Sequence, residues 1–184
     1  MLVVSDGEKH LSQQARTGSP AAWDALFKRY QLPLYVYVFE LVRDEQTSLD
    51  LVQETFIAAT RHLQSLRDDA KFGSWLFGIA HQKCLQRWRK QGRETGALDE
   101  LAAAPSDFES DPAELLISQE QKAEFMEILN QLPVPQRSAV LLHYLEDFKL
   151  EEIAEITGVN LGTVKSRLHY AKKALRKLLR KYVA

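Results

Sequence analysis

The stretch Leu150-Glu-Glu-Ile-Ala-Glu-Ile-Thr-Gly-Val-Asn-Leu-Gly-Thr-Val-Lys-Ser-Arg-Leu-His-Tyr-Ala-Lys-Lys-Ala-Leu-Arg-Lys177 decides the fold. Ile153, Ala154 and Ile156 form the inner stripe of a short first helix. Gly158 follows directly, where the chain needs a residue that tolerates positive φ. Asn160 suits the cap of a second helix, on whose inner side Val164, Leu168, Ala171 and Leu175 recur at helical spacing. The other face carries Lys165, Arg167, Lys172, Lys173, Arg176, Lys177, Arg180 and Lys181, with no acid after Glu155. A helix-turn-helix with a basic second helix is the footprint of a helix laid into a DNA major groove. The rival is an amphipathic helix with a solvated basic face. Glycine, cap and apolar spacing together favour DNA.

The distribution of charge agrees. The 184 residues have a net charge of only −1, so the total says nothing of nucleic acid. Locally, residues 70–93 hold Lys71, Lys83, Arg87, Arg89, Lys90 and Arg93 without a carboxylate. Residues 94–114 hold Glu94, Asp99, Glu100, Asp107, Glu109, Asp111 and Glu114 without a Lys or Arg. Two cationic segments flanking an acidic connector suit two contact surfaces on one polyanion. Cys84 stands alone, which excludes a disulfide framework and suggests a buried thiol. With no leader-like or membrane-spanning run, the expectation is a soluble cytoplasmic protein.

Periodicity predicts an all-α chain. Ser19-Pro20 reads as a cap and first-turn proline opening a helix that carries Trp23, Leu26, Phe27, Tyr30 and Leu34, with a kink or break expected at Pro33. Thr47-Ser-Leu-Asp50 reads as a capping-box start for a helix with Leu49, Val52, Phe56, Ala59, Leu63 and Leu66 on its inner face. A further helix runs from about Phe72 to Gln91, with Trp75, Leu76, Ile79, Ala80 and Leu85 inward. Leu115, Leu116, Phe125, Ile128, Leu129 and Leu132 mark another, and Val140, Leu141, Leu142 and Leu145 the last before the helix-turn-helix. The expected organisation is two small helical domains, 1–92 and 113–184, joined by a flexible acidic linker over 93–112.

Two sets of motifs resemble the extracytoplasmic-function (ECF) group of bacterial sigma factors. One is Asp50-Leu-Val-Gln-Glu-Thr-Phe56, continuing to Phe72-Gly-Ser-Trp-Leu-Phe-Gly-Ile-Ala80 and Arg87-Trp-Arg-Lys90. The other is Leu132-Pro-Val-Pro-Gln-Arg-Ser-Ala-Val-Leu-Leu142, continuing to Gly162-Thr-Val-Lys-Ser-Arg-Leu168. Either alone is a moderate signal; both in this order and spacing are a strong one.

The resemblance implies a factor that directs core RNA polymerase to promoters. Leu49, Asp50, Gln53, Glu54 and Phe56 would dock on the polymerase β′ clamp, and the second domain would meet the β flap. Phe72, Trp75, His81, Gln82, Lys83, Arg87, Arg89 and Lys90 would open and read the −10 element. Such melting needs cations for the backbone and aromatic surfaces for an unstacked base. Thr163, Lys165, Ser166, Arg167, His169, Tyr170, Lys172 and Lys173 would face the −35 element, with Arg167 suited to either a base edge or a phosphate.

One departure stands out. Where the family carries an acidic cluster before Gln53-Glu54, this chain has Thr47-Ser48-Leu49-Asp50. Helix capping accounts for the hydroxyls. Phosphorylation of Thr47 or Ser48 by a Ser/Thr kinase would restore negative charge at a helix start. An anti-sigma partner is the other control the family implies. A plain DNA-binding regulator would leave the Trp75-bearing cationic helix without a role. An enzyme is not expected: the five histidines have no metal-ligand spacing, and no phosphate loop, nucleophile motif or cofactor signature is present.

Overall fold

The computed structural model describes residues 6–90 and 122–182. Its order is α1 (Asp6–Arg16), α2 (Pro20–Val42), α3 (Glu45–His62), α4 (Phe72–Lys90), α5 (Lys122–Asn130), α6 (Val134–Val140), α7 (Leu150–Thr157) and α8 (Leu161–Tyr182). The described residues form two helical bodies, α1–α4 and α5–α8. The expected linker, with Leu115 and Leu116, lies outside them.

In the first body, Leu26, Tyr30, Leu34, Tyr37, Val38 and Leu41 run down the inner face of α2. Against them pack Leu51, Val52, Phe56 and Ala59 of α3, and Phe72, Leu76, Phe77, Ala80 and Cys84 of α4. Burial of aliphatic and aromatic side chains at about 25 cal/mol per Å² is the main force holding the three together. Gly73 is set by contact: a Cβ there would lie 2.7 Å from the Tyr30 hydroxyl oxygen. Its backbone N–H donates to the buried Glu8 carboxylate at 3.2 Å, and Glu8 also pairs with Arg29. The start of α4, where backbone N–H groups lack helical acceptors, is thereby tied to α1.

Three local expectations are corrected. Pro33 does not break its helix; α2 runs through it from Pro20 to Val42. The tertiary packing of Tyr30, Leu34 and Tyr37 outweighs the one backbone hydrogen bond that proline deletes. Nor does Thr47 start α3. The helix opens at Glu45, with the Asp44 carboxylate accepting the Thr47 backbone N–H at 2.8 Å. Leu49 also lies off the inner face: it is 48% exposed, while Ser48, Leu51 and Thr55, with Val52, Phe56 and Ala59, take the buried places.

The second body is built on the helix-turn-helix. Gly158 adopts φ 70° and ψ 28°, and its N–H returns to the Ala154 carbonyl at 2.9 Å, closing α7. The Asn160 side chain accepts the Thr163 backbone N–H at 2.8 Å and so caps α8. Ile153 and Ile156 of α7 bury with Val164, Leu168, Ala171 and Leu175 of α8, over Ile128, Leu129, Val140 and Leu142. Leu141–Leu145 makes a π-helical turn between α6 and the loop to α7. Among the described residues, no helix is long and apolar enough to cross a membrane.

Candidate polymerase and promoter interfaces

On α3 the structure separates an inner from an outer arc. Leu49, Asp50, Gln53, Glu54 and Ile57 are exposed, whereas Phe56 is buried against Phe27, ring centroids 4.8 Å apart. Residues at i, i+4 and i+8 share a helix face, so Leu49, Gln53 and Ile57 line up with Asp50 and Glu54 beside them. Ile57 is 44% exposed, and neighbouring Phe27 on α2 is also open to solvent. Apolar side chains thus stand next to carboxylates on the outer face of α3. Sequence reasoning missed Ile57 and Phe27. Both sit inside an apolar period, and only their tertiary placement turns them out.

The hydroxyls before this strip are occupied. Ser48 is fully buried, and its hydroxyl donates to the Asp44 carbonyl at 2.6 Å. Thr47 is half-buried; its hydroxyl and its backbone N–H hold the Asp44 carboxyl below the usual range. Thr47 also lines a crevice of about 130 Å³ with Asp50, Glu54, Lys83, Arg87 and Lys90. Lys83 closes that crevice on Glu54 at 3.0 Å, joining the outer strip of α3 to the cationic side of α4.

The residues expected at the −10 element divide into two groups. Gln82, Arg87, Arg89 and Lys90 are exposed, and Lys83 and Trp75 are half-buried. Phe72 is fully buried among Trp23, Tyr30 and Trp75. His81 is 4% exposed, its Nδ1 2.8 Å from the Tyr37 hydroxyl. Burial, with the nearby Arg167 charge second, pushes His81 down to about 4. These two residues therefore shape α4 from within; the cations and Gln82 present its outer surface. Burial also pushes the Cys84 thiol up to about 12, as expected of a core cysteine.

On α8, Lys173 is exposed, and Thr163, Lys165, His169, Tyr170 and Lys172 are half-buried. The Thr163 hydroxyl and backbone both turn to Asn160, so this residue secures the cap. Ser166 and Arg167 are 1% and 2% exposed. The Arg167 charge bears on both Tyr37 and His81 of the first body.

Comparison with known proteins places this geometry. Residues 26–94 match the family Sigma-70 region 2, and residues 122–175 match Sigma-70, region 4. The ECF RNA polymerase sigma-E factor of Escherichia coli (strain K12) is 32% identical over 173 residues, covering 90% of either chain. The chain belongs to the ECF sigma factors. The RNA polymerase sigma-H factor of Pseudomonas aeruginosa is 29% identical, across 97% of this chain and 96% of that one.

Among solved structures, CnrH in complex with the cytosolic domain of CnrY shares the fold at TM-score 0.69 and 24% identity, over 96% of this sigma factor and 99% of that chain. The sigma factor RpoE of Bartonella quintana, co-crystallised with the anti-sigma factor NepR, matches at TM-score 0.62 and 27% identity, over 85% and 97%. This sigma factor directs RNA polymerase to promoters and is not an enzyme.

Proposed function

We propose that the outer arc of α3 is the polymerase-docking surface of this sigma factor, through Leu49, Asp50, Gln53 and Glu54 with Ile57 added and Phe56 as support. The carrying observation is the pair of exposed aliphatic side chains, Leu49 and Ile57, flanking an acidic strip on a helix that is otherwise packed inward. The β′ clamp is the partner in this reading, and the second body meets the β flap. The exposed end of α4, Gln82 to Lys90, engages the −10 element, and α8 engages the −35 element. The domains are then 1–92 and 113–184 with 93–112 as linker, and the protein works in the cytoplasm.

The test is affinity for core polymerase. Leu49→Ser with Ile57→Ser is expected to weaken binding about tenfold, or about 1.4 kcal/mol, with unchanged helicity. Unchanged affinity would remove α3 from the docking surface.

Control by an anti-sigma protein fits this chain, because a sigma factor of similar fold is held by NepR. Thr47 offers a second control. A phosphate there would sit beside Arg87 and Lys90 at a helix start, where negative charge is favoured. Ser48 is left out of this reading, since its hydroxyl is buried and bonded. Thr47→Glu is expected to strengthen polymerase binding, and equal affinity would dispose of the idea.

A further inference from the structure

Between α3 and α4, residues 63–71 make no full α-helix, only two 3-10 turns, Leu63–Ser65 and Asp69–Lys71. The backbone bonds of this connector are local, such as Leu66 N–H to the Leu63 carbonyl and Lys71 N–H to the Asp68 carbonyl. Beyond the buried Leu63 and Leu66, what places it is α1. The Arg16 guanidinium donates to the Leu66 carbonyl at 2.8 Å and to the Asp69 carboxylate at 2.6 Å. The fully buried Ser12 hydroxyl donates to the same Asp69 oxygen at 3.0 Å. Gln64 reaches back to the Arg16 carbonyl at 3.1 Å, and Glu8 takes the Gly73 N–H at the start of α4. Glu8, Ser12 and Arg16 recur at i, i+4 and i+8, so they share one face of α1 and meet the connector as a row. On its outer side, the exposed Arg67 and Lys71 line a groove of about 970 Å³ together with Trp75, Gln82 and Lys83 of α4.

We propose that α1 is a brace for promoter opening, in which Glu8, Ser12 and Arg16 are positioning residues that hold the connector and the first turn of α4 against the −10 DNA. The brace rests on the reading of α4 as the −10 helix. Its physical logic is preorganisation. Unstacking a base costs free energy that the protein recovers only through contacts already in place when the strands part. A connector free to shift would carry Lys71 and Trp75 with it and lose part of that recovery to its own ordering. Attraction between surface cations and a closed duplex falls slowly with distance and tolerates a small displacement. The brace therefore acts on the opening step rather than on first binding.

The test uses holoenzyme carrying the full chain, on a duplex promoter selected from a template library by its transcription with the parent chain. Three quantities are read: affinity for core polymerase, affinity for the closed duplex at low temperature, and the rate of strand opening from thymine reactivity to permanganate. Arg16→Met, which keeps the aliphatic stem, is expected to open the duplex about tenfold more slowly with both affinities unchanged. Ser12→Ala, which removes a single hydroxyl, is expected to slow opening several-fold, and it decides the matter if Arg16→Met binds core weakly. Arg16→Lys, which keeps a cation for Asp69, is expected to restore part of the rate. A template pre-opened by mismatches at −10 is expected to abolish the difference between variant and parent. Opening at the parent's rate by Arg16→Met and Ser12→Ala overturns the brace alone. So does an equal loss on duplex and pre-opened templates, the mark of a merely structural role. An Arg87→Ala, Lys90→Ala chain that opens the duplex as fast as its parent overturns the reading of α4, and the brace with it.

Discussion

His81 and Glu146 are two buried titratable residues whose shifts oppose each other. His81 falls from an ordinary 6.5 to about 4 because burial disfavours its charged form, with Arg167 adding to the effect. The unfolded chain therefore binds that proton more tightly, and stability is lost as pH drops from 6.5 toward 4. Glu146, beside Asp147, is raised from 4.5 to about 7, chiefly by burial. Its contribution is fully present below 4.5 and is lost as pH rises through 7. His81→Asn is expected to flatten the acid side of a urea-midpoint profile taken over about pH 4 to 8, and Glu146→Gln the neutral side. Unchanged profiles would show that neither group titrates as placed. The role of His81 was not legible in the sequence. Its partner Tyr37 stands 44 residues away, and Ser138, which bonds the same Tyr37 hydroxyl, stands 101 residues from Tyr37; neither carries a local signal. The core place of Cys84, by contrast, followed from its apolar helix neighbours.

Elements that carry their own punctuation were legible. Gly158, Asn160 and the Val164–Leu175 spacing define the helix-turn-helix before any tertiary contact is known, and the structure keeps all three. Replacing Gly158 by Ala puts a Cβ on a left-handed residue, and replacing Asn160 by Ala deletes a cap. Each is expected to cost about 1 kcal/mol in chemical unfolding. The start of α3 was misread because Thr47-Ser-Leu-Asp50 imitates a capping box, while the true cap, Asp44, follows Arg43 in left-handed conformation. Gly73 gave no signal either, because its constraint comes from Tyr30 on another helix. Gly73→Ala is expected to destabilise by about 1–3 kcal/mol, as overpacking does, with Tyr30→Phe relieving part of the loss. An unshifted unfolding midpoint would contradict that contact.

At the scale of the whole molecule, charge segregation revealed two cationic stretches but not that Lys71 of the first is paired with Glu155 of α7. Which faces meet depends on a few groups, such as Lys71 with Glu155 and Tyr37 with Ser138, that look ordinary in sequence. Holoenzyme binding to promoter DNA is expected to weaken steeply with salt, by about 0.9 in log K per phosphate contacted for each decade of salt. A flat salt response would contradict the use of Arg87, Arg89 and Lys90 on DNA.

The claim that joins these scales is that this chain is an ECF sigma factor that directs core polymerase to promoters, with the outer arc of α3 proposed as its docking surface. Run-off transcription from a promoter library, with core polymerase and this chain as the only sigma factor, tests it most directly. Promoter-dependent transcripts that fall with Leu49→Ser and Ile57→Ser are the predicted result; no transcripts from the parent chain, or equal transcripts from both, would contradict the account.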